Sequence, residues 1–321
     1  MCVTVRMLAC ALLIGAAGIC AAGAQPATES PDLARALALR ELVPVRTWLA
    51  ANPDADSAEA WRVRVALARI DAPDQAGRWV ADALDRHPDD AGLLLQQAAI
   101  ELDAMDADDG RFERMRQARA VGRLLERVLE LDPDHPEGLT AAIGFHREVP
   151  RIAGGRAERT GPWVERLEVV APAQAEFVRY ESAEQEGQLD DAGRALDRAI
   201  ALDPLQRPEW RSRRAALEGQ RGNVEPAIDA LETLVEARPG YAPAWFELGR
   251  WSASSEHDPA RGIEALERYV LMDRWPGDPS LARALVHLAT LKTRAGDAEG
   301  ARRALAQARI LEPGLFEASD S

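Results

Sequence analysis

The sequence predicts an all-α fold of stacked helical hairpins, and three observations predict it. The 321-residue chain is rich in Ala, Leu, Arg and Glu, holds five Phe and three Tyr, and shows few β-branched runs, a composition that favours helix over strand. Glycine and proline recur at a fixed interval: Gly187 and Pro204, Gly222 and Pro239, Gly296 and Pro313, and Gly155 and Pro172 each stand 17 positions apart. Within the three copies from Gly187 onward, Ala192, Leu196 and Ala199, then Ala227 and Leu231, then Ala301, Leu305 and Ala308 repeat the i, i+4, i+7 spacing of one helical face.

The recurrence has a physical cause. A glycine at the end of a first helix reaches positive φ for the turn, and a proline just past the second helix blocks its continuation. Small alanines let the two helices approach closely. One such pair leaves its flank apolar, so the next pair stacks on it, and an array of this length needs no division into separately folded domains.

The phased set resembles the tetratricopeptide repeat family in its exported bacterial form. Ala301, Leu305, Ala308 and Pro313 after Gly296-Asp297 match the family's second helix, as do Ala192, Leu196, Ala199 and Pro204 after Gly187. Trp245, Leu248 and Gly249 match its first-helix signature, and Leu131-Asp132-Pro133 and Leu202-Asp203-Pro204 its usual ending. The resemblance implies a right-handed α-solenoid of about seven tetratricopeptide-like helix hairpins over residues 32–316. Trp61, Trp210 and Trp245 fall near the starts of first helices, where the family uses a large residue for packing.

The N-terminal half departs from the pattern. Ala72-Pro73-Asp74 replaces a glycine turn, residues 103–116 lengthen one connection, and Glu148 to Ala153 adds length before Gly154-Gly155. In a solenoid such surplus emerges as surface loops on one side, where it can be recruited for binding.

Residues 1–24 read as a cleavable secretory signal peptide: Arg6 supplies a positive end, Met7 to Ala22 is mostly apolar, and Ala22-Gly23-Ala24 forms a small-x-small cleavage site. The apolar run is short for a membrane span; a retained anchor is the alternative. Lipidation is disfavoured because Cys20 follows Ile19 and Cys10 precedes any adequate apolar run. Residues 25–31 form a linker and residues 317–321 a disordered tail. Cys2, Cys10 and Cys20 all lie in the leader, so the mature chain has no thiol for a disulfide or for catalysis. The formal net charge of −14 becomes −15 without Arg6, which argues against nucleic acid as a partner. The expected address is the periplasm, with secretion as the alternative.

Each candidate chemical feature has a plain structural reading beside it. His146 and Glu148 lie beside Gly154-Gly155, but their spacing of two points them in different directions on a helix. The ordinary reading is a long first helix ended by Pro150, then a loop to a helix near Pro162. Asp103, Asp106, Asp108 and Asp109 before Gly110 fail the register of a calcium loop, where Met105 and Ala107 would hold the first and third positions. His87, His135, His146, His257 and His287 lack paired metal spacing. His87 and His135 sit at repeat junctions, where helix-end capping explains them. Arg207, Arg211, Arg213 and Arg214, with Arg221, form a candidate anion patch interleaved with Glu209 and Glu218. No nucleophile, base and orienting group form a set, so the expectation is a non-catalytic protein with no cofactor and no metal.

The resemblance implies a scaffold or adaptor that presents its first helices on a concave face to a peptide or protein partner. Carried over by register, the partner-binding residues are Phe177, Glu181 and Glu184, then Phe246 and Arg250, then Arg283, Thr290 and Arg294. The alternative is a small-molecule or solute-binding component associated with a transport system, in which the segment from His146 to Gly161 lines an enclosed pocket.

Overall fold

A computed structural model describes residues 32–105, 110–255 and 259–317, and among the described residues every regular element is a helix. They are α1 (Leu33–Ala38), α2 (Leu42–Ala51), α3 (Ala58–Asp71), α4 (Pro73–Arg86), α5 (Ala91–Asp103) and α6 (Arg111–Leu131), then α7 (Pro136–Glu148), α8 (Gly161–Val170), α9 (Pro172–Gln185) and α10 (Leu189–Leu202). The series continues with α11 (Pro208–Gln220), α12 (Val224–Ala237), α13 (Ala242–Ser254), α14 (Ala260–Val270), α15 (Leu281–Arg294), α16 (Ala298–Leu311) and the short α17 (Gly314–Glu317). The leader, the linker, Asp106, Asp108, Asp109, His257 and residues 318–321 lie outside the described residues.

The turns form where the spacing places them. Gly187, Gly222 and Gly296 take φ of 72°, 89° and 80°, the left-handed turn that glycine reaches without a Cβ clash. Pro204, Pro239 and Pro313 stand just beyond α10, α12 and α16. At the other end of the helices, Asp32, Ser57, Asp90, Ser280 and Asp297 accept backbone N–H bonds as N-caps. Pro73 begins α4 directly after α3, so the Ala72-Pro73-Asp74 joint is a turn made without glycine.

One copy of the interval differs. Positive φ falls on Gly154, at 105°, while Gly155 is fixed by crowding: a Cβ there would lie 1.7 Å from the Val149 carbonyl oxygen. The segment makes two 3-10 turns, Arg151–Ala153 and Ala157–Arg159, in place of a tight hairpin turn. Pro172, unlike Pro204, Pro239 and Pro313, is itself the first residue of the following helix. Seven successive pairs, α3–α4 to α15–α16, have helices of ten residues or more, and the shorter α1–α2 pair precedes them.

Packing groups the described residues into two compact units. The first holds residues 32–186, 194–205 and 275–277. Its core runs from Leu33, Val45, Val63 and Trp275 through Trp61, Val80 and Leu93, then Leu95, Val121, Leu125 and Phe145, to Leu139, Ile143, Leu167 and Val178. The second holds residues 187–193, 206–274 and 278 onward. Its core sets Leu231, Leu234, Leu248 and Trp251 beside Phe246, Leu266, Tyr269, Leu285 and Leu291, closed by Ala301, Ala304 and Ala308. In the first unit α7 touches both its second helix α8 and the neighbouring first helix α9, and α9 lies against α7 and α8; in the second unit α13 touches α14 and α15 in the same way.

Candidate functional site

That double contact decides which expected groove residues reach the surface. Phe177 and Phe246 are each 4% exposed and belong to the core, which corrects their assignment to a binding surface. Phe177 packs on Tyr180 with ring centroids 5.4 Å apart, and Phe246 on Tyr269 at 5.4 Å and His287 at 5.7 Å. A first helix flanked on two sides buries a wide arc, and aromatic residues read off as groove positions fall inside it. Glu181 and Glu184 remain half-buried on α9.

In the second unit the remaining positions converge. His287 of α15 is half-buried, and desolvation, then the Arg250 and Arg283 charges, hold its pKa below the ordinary imidazole value. Both guanidinium groups therefore share one strip with the Phe246–His287 ring pair. Arg250 Nε donates to Glu247 at 2.9 Å, and its guanidinium lies 4.0 Å from the Trp251 ring centroid. Arg283 and Thr290 are exposed on α15. Arg294 reaches back to donate to the Ser252 and Ala253 carbonyls at 3.1 and 3.3 Å, so it holds the end of α13.

The proposed anion patch is largely answered by the chain's own carboxylates, and this corrects its reading as a receptor surface. Arg213 donates to Glu209 at 3.1 Å, and Arg214 pairs with Glu218, both at i, i+4 spacing. The Asn223 amide, then Arg214 and Arg221, lower the Glu218 pKa to about 2. Arg207 is buried against the Trp210 ring, with its guanidinium carbon 4.7 Å from the ring centroid. Arg211 alone of the four is exposed.

A cavity of about 600 Å³ opens in the first unit beside His146. Arg119, Arg123 and Glu126 line it from α6 at i, i+4, i+7, which places them on one helical face. His146, in the last turn of α7, closes one wall; Arg151, Gly154, Arg156, Glu158 and Arg159 close another from the 3-10 turns. Gly122 lets the wall come together, since a Cβ there would stand 3.0 Å from the Phe145 ring. Arg119 Nη2 donates to the Ile152 carbonyl at 2.7 Å, and Arg159 Nη1 to Glu126 Oε1 at 2.8 Å, so α6 and the turns brace each other.

His146 is 2% exposed and held between the Phe145 edge, at 5.2 Å, and the Trp163 ring, at 5.3 Å. Neither ring nitrogen makes a hydrogen bond of good geometry, and Nε2 lies 4.0 Å from Glu126 Oε1. Burial is the largest influence on its pKa and lowers it; Glu126 and the nearby Gly154 backbone pull the other way, while Arg159 and Arg156 push it further down. Glu148 points elsewhere and accepts from Gln185 Nε2 at 2.7 Å, so His146 and Glu148 do not form an acid–base pair. Burial raises the Glu148 pKa.

His135 and His87 serve helix ends. His135 Nδ1 accepts from the Gly138 N–H at 3.2 Å at the start of α7, and His87 Nε2 lies 2.9 Å from the Asp56 carbonyl. Asp103 pairs with Arg69. Among the described residues no group of three His, Cys, Asp or Glu is placed to hold a metal ion, and no helix is long and apolar enough to cross a membrane. In the sequence the segment from His146 stands out by its break in the repeat, whereas Arg119, Arg123 and Glu126 are signalled only by their i, i+4, i+7 spacing on α6.

No family model matches the chain, and no curated protein matches it in sequence. Among solved structures it is similar to a chain of the APC/C heterotetramer Cut9–Hcn1, at 17% identity and a TM-score of 0.55 over 89% of this chain and 52% of that one. It is also similar to human IFIT1, solved as a dimer with m7Gppp-AAAA, at 12% identity and a TM-score of 0.52 over 98% of this chain and 74% of that one. This chain thus spans about half the length of the Cut9–Hcn1 chain. Both are tetratricopeptide-repeat structures, and at these identities the likeness is one of fold.

Proposed function

We propose that this chain, whose fold is tetratricopeptide-like, is a non-catalytic interaction scaffold of the bacterial cell envelope that holds an extended acidic segment of a protein partner. Export through the leader at residues 1–24 supports the envelope address, and the periplasm is the compartment that a cysteine-free mature chain suits. The observation behind the binding surface is the convergence on His287 of the exposed Arg283 and of Arg250, which also pairs with Glu247, on two adjoining first helices of a chain with net charge −14. Guanidinium groups on parallel helices can engage successive carboxylates of an extended peptide, which electrostatic complementarity would orient.

The test is an array of acidic and basic 12-residue peptides read by fluorescence polarisation against the mature protein and the Arg250→Glu/Arg283→Glu variant. Salt-sensitive binding of acidic peptides, lost in the variant while helicity is retained, is the expected result. Equal binding of the variant would remove this strip from the function.

A second reading has one specific observation in its favour. A solute-binding component associated with a transport system would use the cavity beside His146, whose volume of about 600 Å³ falls in the range of small-molecule sites.

A further inference from the structure

We propose that the cavity formed by α6, the last turn of α7 and the two 3-10 turns binds a small molecule bearing two or more carboxylate or phosphate groups. The inference rests on the second reading above, gives its ligand a chemistry, and is independent of the strip on α13 and α15.

The charge distribution is the first support. Five of the ten lining residues are arginines, Arg119, Arg123, Arg151, Arg156 and Arg159, against Glu126 and Glu158. Arg159 pairs with Glu126, Arg119 is held by a neutral carbonyl, and Arg123 lies near enough to Glu101 to pull that carboxyl's pKa down without an ion pair to it. The side chains of Arg123, Arg151 and Arg156 have no hydrogen-bond or ion-pair partner among the described residues. Gathering like charges in one concavity is unfavourable unless an anion answers them, and the chain at large is acidic. Guanidinium groups offer planar paired donors that match carboxylate and phosphate oxygens.

His146 is an independent second support. Its ring is 98% buried, faces the cavity, and leaves both nitrogens without a good hydrogen bond. Buried polar groups are ordinarily satisfied, and an imidazole N–H in a wall shared with five arginines can donate to an oxyanion that they hold. Phe145 and Trp163 fix the ring plane, so the donor direction is set in advance. Gly154 keeps the wall open: its backbone takes φ of 105°, and a Cβ there would stand 3.3 Å from Arg119 Cγ.

Glu126 gives the site a competitor. Its Oε1 accepts from Arg159 at 2.8 Å and stands 4.0 Å from His146 Nε2, so a ligand oxygen reaches the imidazole only when the carboxylate moves aside. A bound dianion draws Arg159 away from Glu126 and repels the carboxylate.

The mature protein is titrated calorimetrically with citrate, pyrophosphate, inorganic phosphate and acetate at constant ionic strength, with a thermal melt at ligand excess for each. Saturable one-to-one heat and a raised Tm are expected with citrate or pyrophosphate, and little of either with acetate or inorganic phosphate; the stronger of the first two identifies the headgroup. Arg123→Glu/Arg156→Glu removes binding. His146→Phe keeps the ring stack and weakens binding roughly tenfold, the scale of one hydrogen bond to a charged group. Glu126→Gln tightens binding, a gain that damaged folding would not produce. Absence of saturable heat with both citrate and pyrophosphate, equal binding of inorganic phosphate or acetate, undiminished binding by Arg123→Glu/Arg156→Glu, or weaker binding by Glu126→Gln overturns the proposal. The Arg250→Glu/Arg283→Glu variant binds these anions as the parent does, so failure of the peptide strip and failure of the cavity are read separately.

Discussion

Gly249 of α13 lies directly against Leu266 of α14: a Cβ at position 249 would stand 2.2 Å from Leu266 Cγ. The first-helix motif Trp245, Leu248, Gly249 thereby acquires a physical meaning. Leu248 is buried, Trp245 Nε1 donates to the Pro239 carbonyl at 3.0 Å, and Gly249 sets how closely the second helix can approach. Gly249→Ala is expected to lose about 1–3 kcal/mol through overpacking. Combined with Leu266→Ala it should cost less than the two single losses added, because the truncated leucine makes room. Urea unfolding of the three variants measures both.

The turn glycines obey a different constraint. A Cβ on Gly187, Gly222 or Gly296 would meet nothing within 4 Å, so their requirement is positive φ alone. Alanine at Gly296 should cost about 1–2 kcal/mol, the left-handed penalty of a residue with a Cβ. Gly77 supplies the opposite sign. It is exposed inside α4 at ordinary helical φ with open space around it, so Gly77→Ala should stabilise by about 0.5–1 kcal/mol. Thermal melts of the two variants discriminate backbone strain from packing.

These glycines also show what the sequence makes legible. The interval from Gly187, Gly222 and Gly296 to its proline reports a hairpin, because both ends of that motif are local backbone requirements. The same interval from Gly155 to Pro172 reports something else. There the left-handed residue is Gly154, and Gly155 is held by the Val149 carbonyl, a contact that spacing cannot reveal. Phe177 and Phe246 illustrate the limit for surfaces: their burial depends on a neighbouring repeat as well as on their own helix. The cavity was half visible. The segment after His146 breaks the repeat in the sequence itself, whereas Arg119 and Arg123 sit on a regular helix some 30 residues from Arg151 and Arg156, and only the folded chain brings them together.

Acid should expose Glu218. Its pKa in the folded protein is about 2, below the ordinary 4.5, because the Asn223 amide, Arg214 and Arg221 stabilise the carboxylate. A depressed folded pKa contributes stability that is complete above about pH 4.5 and is lost as pH falls toward 2. Glu218→Gln should therefore be less stable than the parent at pH 7 and nearly equal to it at pH 2.5. Chemical unfolding at the two pH values reads the difference, and an equal gap at both would assign Glu218 a role other than its charge.

Arg69 of α3 and Asp103 of α5 make the complementary case. Arg69 is 4% exposed, and its Nη2 lies 2.6 Å from Asp103 Oδ2. Burial still raises the Asp103 pKa against the opposing pull of Arg69, so desolvation is the larger effect on the carboxylate. Removing the guanidinium takes away the one influence that lowers this pKa. Arg69→Ala should cost about 1–2 kcal/mol at pH 7, since Asp103 loses its charged hydrogen-bond partner but keeps contact with water. A raised folded pKa in an acid means that protonation favours the folded state, so the penalty shrinks as pH falls through that value. Arg69→Met/Asp103→Leu removes both charges and keeps the volume, and should recover most of the loss. Urea midpoints at pH 7 and pH 4 test the sign, and a penalty for Arg69→Ala that is independent of pH, with no recovery in the apolar pair, would trace it to lost alkyl packing in α3.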